Sequence, residues 1–81
     1  MVYTISDLAV ETGISYHTVY YYIKEGLIRE SNIVGSRQRV FDDHDLERLK
    51  QIVALRKKGQ AIKYIKELLN KEDANGETKH L

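Results

Sequence analysis

The chain has no cysteine, no proline and no tryptophan, and only one phenylalanine and one methionine among its 81 residues. Without thiols there is neither a disulfide nor a thiolate metal site, so packing and hydrogen bonds must supply the stability. Without proline, the five glycines become the strongest punctuation. Long apolar runs are missing too, and none approaches the roughly 20 residues that span a bilayer. The start, MVYTISDL, has neither the basic segment nor the apolar middle of a secretory signal. The expectation is a soluble cytoplasmic protein of one domain, too small for a large enclosed active site.

Net charge is also nearly absent, at a formal +1, but the charges are unevenly placed. Residues 1–23 carry Asp7 and Glu11 and no Lys or Arg. Residues 48–66 carry Arg48, Lys50, Arg56, Lys57, Lys58, Lys63 and Lys66 and no acid. A locally basic surface therefore hides behind a neutral sum.

What is present is periodicity. Ile5, Leu8, Ala9 and Thr12 recur at helical spacing, with Thr4 or Ser6 as a cap and Gly13 as a stop. Ser15 can cap a second helix reaching Glu25 and ended by Gly26. Two short helices around a glycine turn read as a helix-turn-helix or as a plain helical hairpin. From Leu27 to Phe41 the pattern becomes β-branched and alternating, with Gly35-Ser36 as the turn of a β-hairpin. Asp42 or Asp43 caps a third helix striped by Leu46, Leu49, Ile52, Val53 and Leu55 as far as Lys58-Gly59. Ile62, Ile65, Leu68 and Leu69 mark a fourth.

The expected fold is mostly α with a small β-hairpin, a winged helix-turn-helix of four helices plus a two-stranded wing. It fills residues 1–70, and the polar residues 71–81 read as a fraying helix end and a disordered tail.

Four of the six tyrosines fall within residues 16–22, in SYHTVYYYIKEG. On a helix, neighbours at positions 20, 21 and 22 point about 100° apart, so they cannot all be core. Val19 and Ile23 define a face on which Tyr16 and Tyr22 lean inward. The opposite face carries His17, Tyr20, Tyr21 and Lys24, with Ser15 and Thr18 near the start. Tyr hydroxyls, a helix N-terminus and a Lys suit phosphate oxygens, and these side chains also reach base edges in a major groove. The hairpin tip, Ser36, Arg37, Gln38 and Arg39, adds donors suited to a phosphate backbone or a minor groove, or is a solvated turn. Arg56-Lys57-Lys58-Gly59-Gln60 offers further phosphate contacts.

Nothing suggests an enzyme. Asp42-Asp43-His44-Asp45 has metal-ligand chemistry, but its place at a helix start favours capping, and His17 and His80 complete no ligand pattern. No cofactor and no metal are expected.

The segments YTISDLAVETGIS, TVYYYIKEGLI, RVFDDHDLERL and LRKKGQAIKYIKELL together resemble the MerR group of bacterial transcription regulators, over nearly all of residues 3–69. The resemblance implies a second helix, residues 16–25, that enters the major groove of double-stranded DNA. It also implies a first wing around residues 33–41 and a second around 56–66, which includes Lys63. Such regulators pair on an operator and bend it, so that RNA polymerase engages both promoter elements indirectly. The implied partners are DNA and a second copy, with no membrane, and the location is the nucleoid.

Three positions depart from the family pattern. Tyr20 stands where an arginine is usual, and Phe41 where a tyrosine is usual at the wing's end. Ala61 stands where Ser or Thr caps the fourth helix. The polar end also contrasts with the long dimerisation helix and effector domain of larger members, so no small-molecule effector domain is expected in this chain. A small excisionase-like protein of the same fold is the alternative reading. From another class, an interaction module could use the tyrosine face against a partner protein.

Overall fold

A computed structural model describes residues 1–28 and 40–78, with only the helical backbone over residues 72–78. Four helices follow one another: α1, Ile5–Thr12; α2, Tyr16–Lys24; α3, Asp43–Lys57; and α4, Ile62–Thr78. None of the described helices is long and apolar enough to cross a membrane.

Each of the first three helices starts at a residue whose side chain takes up a free N–H. Thr4 Oγ1 accepts from Asp7 N at 3.1 Å, and Asp7 Oδ2 accepts from Thr4 N at 2.9 Å, a reciprocal capping box. Ser15 Oγ accepts from Thr18 N at 3.1 Å. Asp42 and Asp45 repeat the box at the start of α3, both bonds at 2.9 Å. The stops are equally local. Gly26, at φ 79°, lets Leu27 N–H turn back to Tyr22 O at 3.0 Å while its own N–H bonds Ile23 O at 3.0 Å. That pair of bonds is a Schellman turn, which needs a residue that adopts a left-handed backbone without strain.

The amphipathic faces converge on one core. Ile5 and Leu8 of α1, Val19, Tyr22 and Ile23 of α2, Leu46, Leu49 and Ile52 of α3, and Ile65 and Leu69 of α4 are buried together with Leu27, Ile28 and Phe41. α1 packs on both α2 and α3, and α4 packs on α3. Burying a side chain of this size contributes about 1.5–3 kcal/mol, so this cluster is the main stabilising term in a chain without disulfides.

The described residues contain no strand. Their only β pairing is an antiparallel bridge between Tyr3 and Phe41, with N–H···O distances of 2.7 and 2.9 Å. The expected two-stranded wing falls largely on residues 29–39, outside the described residues. Phe41, expected at the wing's end, ties the start of α3 to the N-terminal segment and is itself buried. At the other end, α4 keeps a helical backbone to Thr78, past residue 70 where its apolar periodicity stops. The change there is one of side-chain chemistry along a continuing helix.

Candidate nucleic-acid interface

α2 is held from behind by Val19, Tyr22 and Ile23 and presents the rest of its surface outward. Tyr16 and Tyr21 are each 48% exposed, against 5% for Tyr22. His17 and Lys24 are exposed, and Thr18 and Tyr20 are half-buried. The tyrosines therefore divide differently from the sequence expectation in two places. Tyr16, expected to lean inward, is exposed, because side chains lean toward a helix's N-terminus and a first-turn residue points past the end of its own helix. Its ring meets His17 edge-on, with centroids 6.0 Å apart. Tyr20, expected outward, packs partly against the core, since it lies at the margin of the face made by Val19 and Ile23.

Lys24 compensates at that margin. Its Nζ lies 5.7 Å from the Tyr20 ring centroid, so a cation stands over the aromatic ring one turn on. Ser15 and Thr18 share a hydroxyl hydrogen bond of 2.8 Å in addition to the cap, which orients both hydroxyls at the helix start. The outward surface of α2 is thus aromatic, hydroxyl-rich and cationic, with the positive end of the helix dipole at its beginning.

A second basic region joins α3 to α4. Gly59, at φ 86°, reverses the chain; Gln60 N–H bonds Leu55 O at 3.1 Å, and Arg56 Nη1 donates to Gln60 O at 2.9 Å. Arg56 thereby rigidifies the turn, while Lys57, Lys58 and Lys63 are exposed around it. Lys66, which the sequence reading left out of the site, reaches the far end of α2: its Nζ would lie 3.9 Å from a Cβ added at Gly26. The signal for it was its spacing of three from Lys63. The structure therefore brings the basic face of α4 to the C-terminal end of α2. Ser36, Arg37, Gln38 and Arg39 lie outside the described residues.

The acidic cluster at the start of α3 has a structural occupation. One ligand atom each from Asp42, His44 and Asp45 lie within 4.8 Å of one another. Yet both carboxylates are engaged in the capping box. The Asp45 N–H bond holds the Asp42 carboxyl below its ordinary value, while burial pushes that of Asp45 up. Asp43 points the other way and accepts from Tyr3 Oη at 2.7 Å and from the Met1 amino group at 3.3 Å.

Comparison with known proteins agrees with this geometry. The family model described as MerR HTH family regulatory protein matches residues 3–72. The HTH-type transcriptional activator mta of Bacillus subtilis (strain 168) is 33% identical over 70 residues, covering 86% of this chain and 27% of the activator. The crystal structure of HiNmlR, a MerR family regulator lacking the sensor domain, bound to promoter DNA, superposes with a TM-score of 0.81 at 32% identity, over 91% of this chain and 56% of that one. PbrR691 from Ralstonia metallidurans CH34, solved with lead(II), gives a TM-score of 0.81 at 29% identity, over 96% of this chain and 64% of that one. This chain thus spans little more than a quarter of the activator and part of each solved regulator. The chain belongs to the MerR HTH family of regulatory proteins.

Proposed function

We propose that this chain is the DNA-reading part of a MerR-type transcription regulator, with α2 in the major groove of a duplex. The observation that carries the reading is the division of α2 into a back face fixed in the core and a front presenting Tyr16, His17, Tyr21 and Lys24. Tyr21 and Lys24 contact phosphate oxygens, and Ser15, Thr18 and Tyr20 support the approach from the helix start and its margin. Lys57, Lys58 and Lys63 grip the backbone beside it. The alternating, β-branched segment around Ser36, Arg37, Gln38 and Arg39 acts as a basic wing on the flanking backbone.

The outward face of α2 carries no arginine, asparagine or glutamine to make the bidentate contact that reads a base strongly, so specificity from this helix rests substantially on how the duplex deforms. Two copies pair on the DNA and bend it, and RNA polymerase responds to the altered promoter. The work is mechanical and needs no cofactor.

Selection of duplexes from a random pool by the purified chain tests this. A recovered inverted repeat is the expected result, because a pair of copies imposes two-fold symmetry on the site. Recovery of no enriched sequence, with no retention of duplex at low salt, would reject the reading.

A further inference from the structure

The chain leaves α2 through a turn at which three helices converge. Leu27, just beyond Gly26, is 1% exposed, and its N–H returns to Tyr22 O of α2 at 3.0 Å. Its carbonyl is taken from another helix: Arg48 Nε, on α3, donates to Leu27 O at 2.7 Å across 21 positions of sequence. Lys66 of α4 approaches the same turn at Gly26. One residue is therefore bonded to α2 through its N–H and to α3 through its C=O.

This bond has properties that a general packing contact lacks. It is partly buried, which strengthens it relative to one in water. The guanidinium is planar with donors in fixed directions, so it specifies an orientation as well as a distance. The backbones of α2 and α3 each approach α1 and share only the side-chain core between them, whereas Arg48 links them through a single residue, Leu27. By sequence Arg48 is one of the seven cations of residues 48–66, but its Nε–H is committed to the fold.

We propose that Arg48 is a positioning residue for duplex engagement. It fixes α2 against α3 and α4 so that the outward face of α2 and the lysines at the start of α4 meet one duplex at the same time. The proposal rests on the DNA-binding reading above and adds what makes its two contact regions act together. Without the Arg48 bond, α2 still docks, but the α4 lysines no longer fall on the same backbone.

A double-mutant cycle on duplex affinity tests this, using the full chain, its selected duplex, and the variants Arg48→Met, Lys63→Ala and both together. Met keeps an apolar stem and removes the donor. Lys63→Ala alone is expected to weaken binding about threefold, through one phosphate contact. Arg48→Met alone is expected to weaken it about tenfold. The double variant is expected to bind no more weakly than Arg48→Met, because Lys63 is already disengaged. Independent losses that multiply in the double variant would overturn the proposal, as would unchanged affinity in Arg48→Met. A purely structural role lowers the melting temperature without this coupling. Should Arg48→Met melt near the assay temperature, the same cycle with Arg48→Lys carries the test with the same two outcomes. Failure of the wild-type chain to bind duplex would instead reject the underlying DNA-binding reading, and an inert Lys63→Ala in the wild-type background would remove α4 from the interface.

Discussion

The ammonium of Lys24 stands 5.7 Å from the ring centroid of Tyr20, one helical turn apart on the outward margin of α2. Tyr20 occupies the position at which the family resemblance places an arginine, and it is partly buried against the core. The positive charge on this part of the helix is therefore supplied by Lys24. Replacing Lys24 with Gln should leave the melting temperature nearly unchanged, because the residue is exposed. It should reduce the slope of log affinity against log salt by about 0.9, the effect of one lost phosphate contact. Titrations at four or five salt concentrations measure this, and an unaltered slope would remove Lys24 from the interface.

Tyr21 is exposed, with its ring 5.9 Å from that of buried Tyr22. Tyr21→Phe keeps the ring and deletes the donor, so an affinity loss of about three- to tenfold is expected from one hydrogen bond to a charged oxygen. Arg39→Ala in the proposed wing should do the same or more. Gel-shift and melting curves on the same samples check both. A variant that unfolds while the remaining folded fraction binds normally would indicate a structural role instead.

Much of this arrangement is readable in the sequence because it is local. The caps at Thr4, Ser15 and Asp42 and the stops at Gly13, Gly26 and Gly59 act within a few residues of their partners. The apolar stripes of all four helices follow from spacing alone. Three features escape such reasoning because distant residues decide them. The Tyr3–Phe41 bridge joins segments 38 positions apart, and Phe41 reads locally as the end of a hairpin. Arg48 reads as surface charge until α3 is packed beside Leu27. Tyr16 and Tyr20 are each a few residues from Val19 or Ile23, and periodicity does not tell where the neighbouring helix stops covering the face.

Ala61 precedes α4 where a side-chain cap would serve, and Ala61 O accepts from Ile65 N at 3.0 Å as an N-cap residue does. Its methyl group offers nothing to the free N–H groups of the first turn. Ala61→Ser is expected to stabilise the fold by about 0.5–1 kcal/mol, read as a higher denaturant midpoint at constant slope. A lower midpoint would show that these N–H groups already have partners.

The Tyr3 hydroxyl bonded to Asp43 gives stability a pH dependence at both extremes. The bond pushes the Tyr3 hydroxyl up to about 12 from an ordinary 10.0, and the same bond, with the Met1 amino group, holds the Asp43 carboxyl low. For Tyr3, a folded value above the unfolded one means a contribution fully present below pH 10.0 and lost as pH rises through about 12. For Asp43, a folded value below the unfolded 3.8 means a contribution present above that pH and lost as pH falls through the lowered value. Asp43 is exposed and Tyr3 only partly buried, so the effect is small. The melting-temperature difference between wild type and Tyr3→Phe should be constant from about pH 5 to 9 and shrink above pH 10. A difference that persists undiminished at the alkaline end would mean that the hydroxyl bond is not its source.

In the proposed complex the front of α2 and the basic junction of α3 and α4 grip one DNA backbone together, and the salt dependence of duplex affinity reads out that grip. With Lys24, Lys57, Lys58 and Lys63 each neutralising one phosphate, these four alone give the slope of log affinity against log salt a value of about −3.6 per copy, at about 0.9 for each contact, and contacts from the wing make it steeper. A slope near zero, or a duplex affinity that does not change between low and physiological salt, would contradict it.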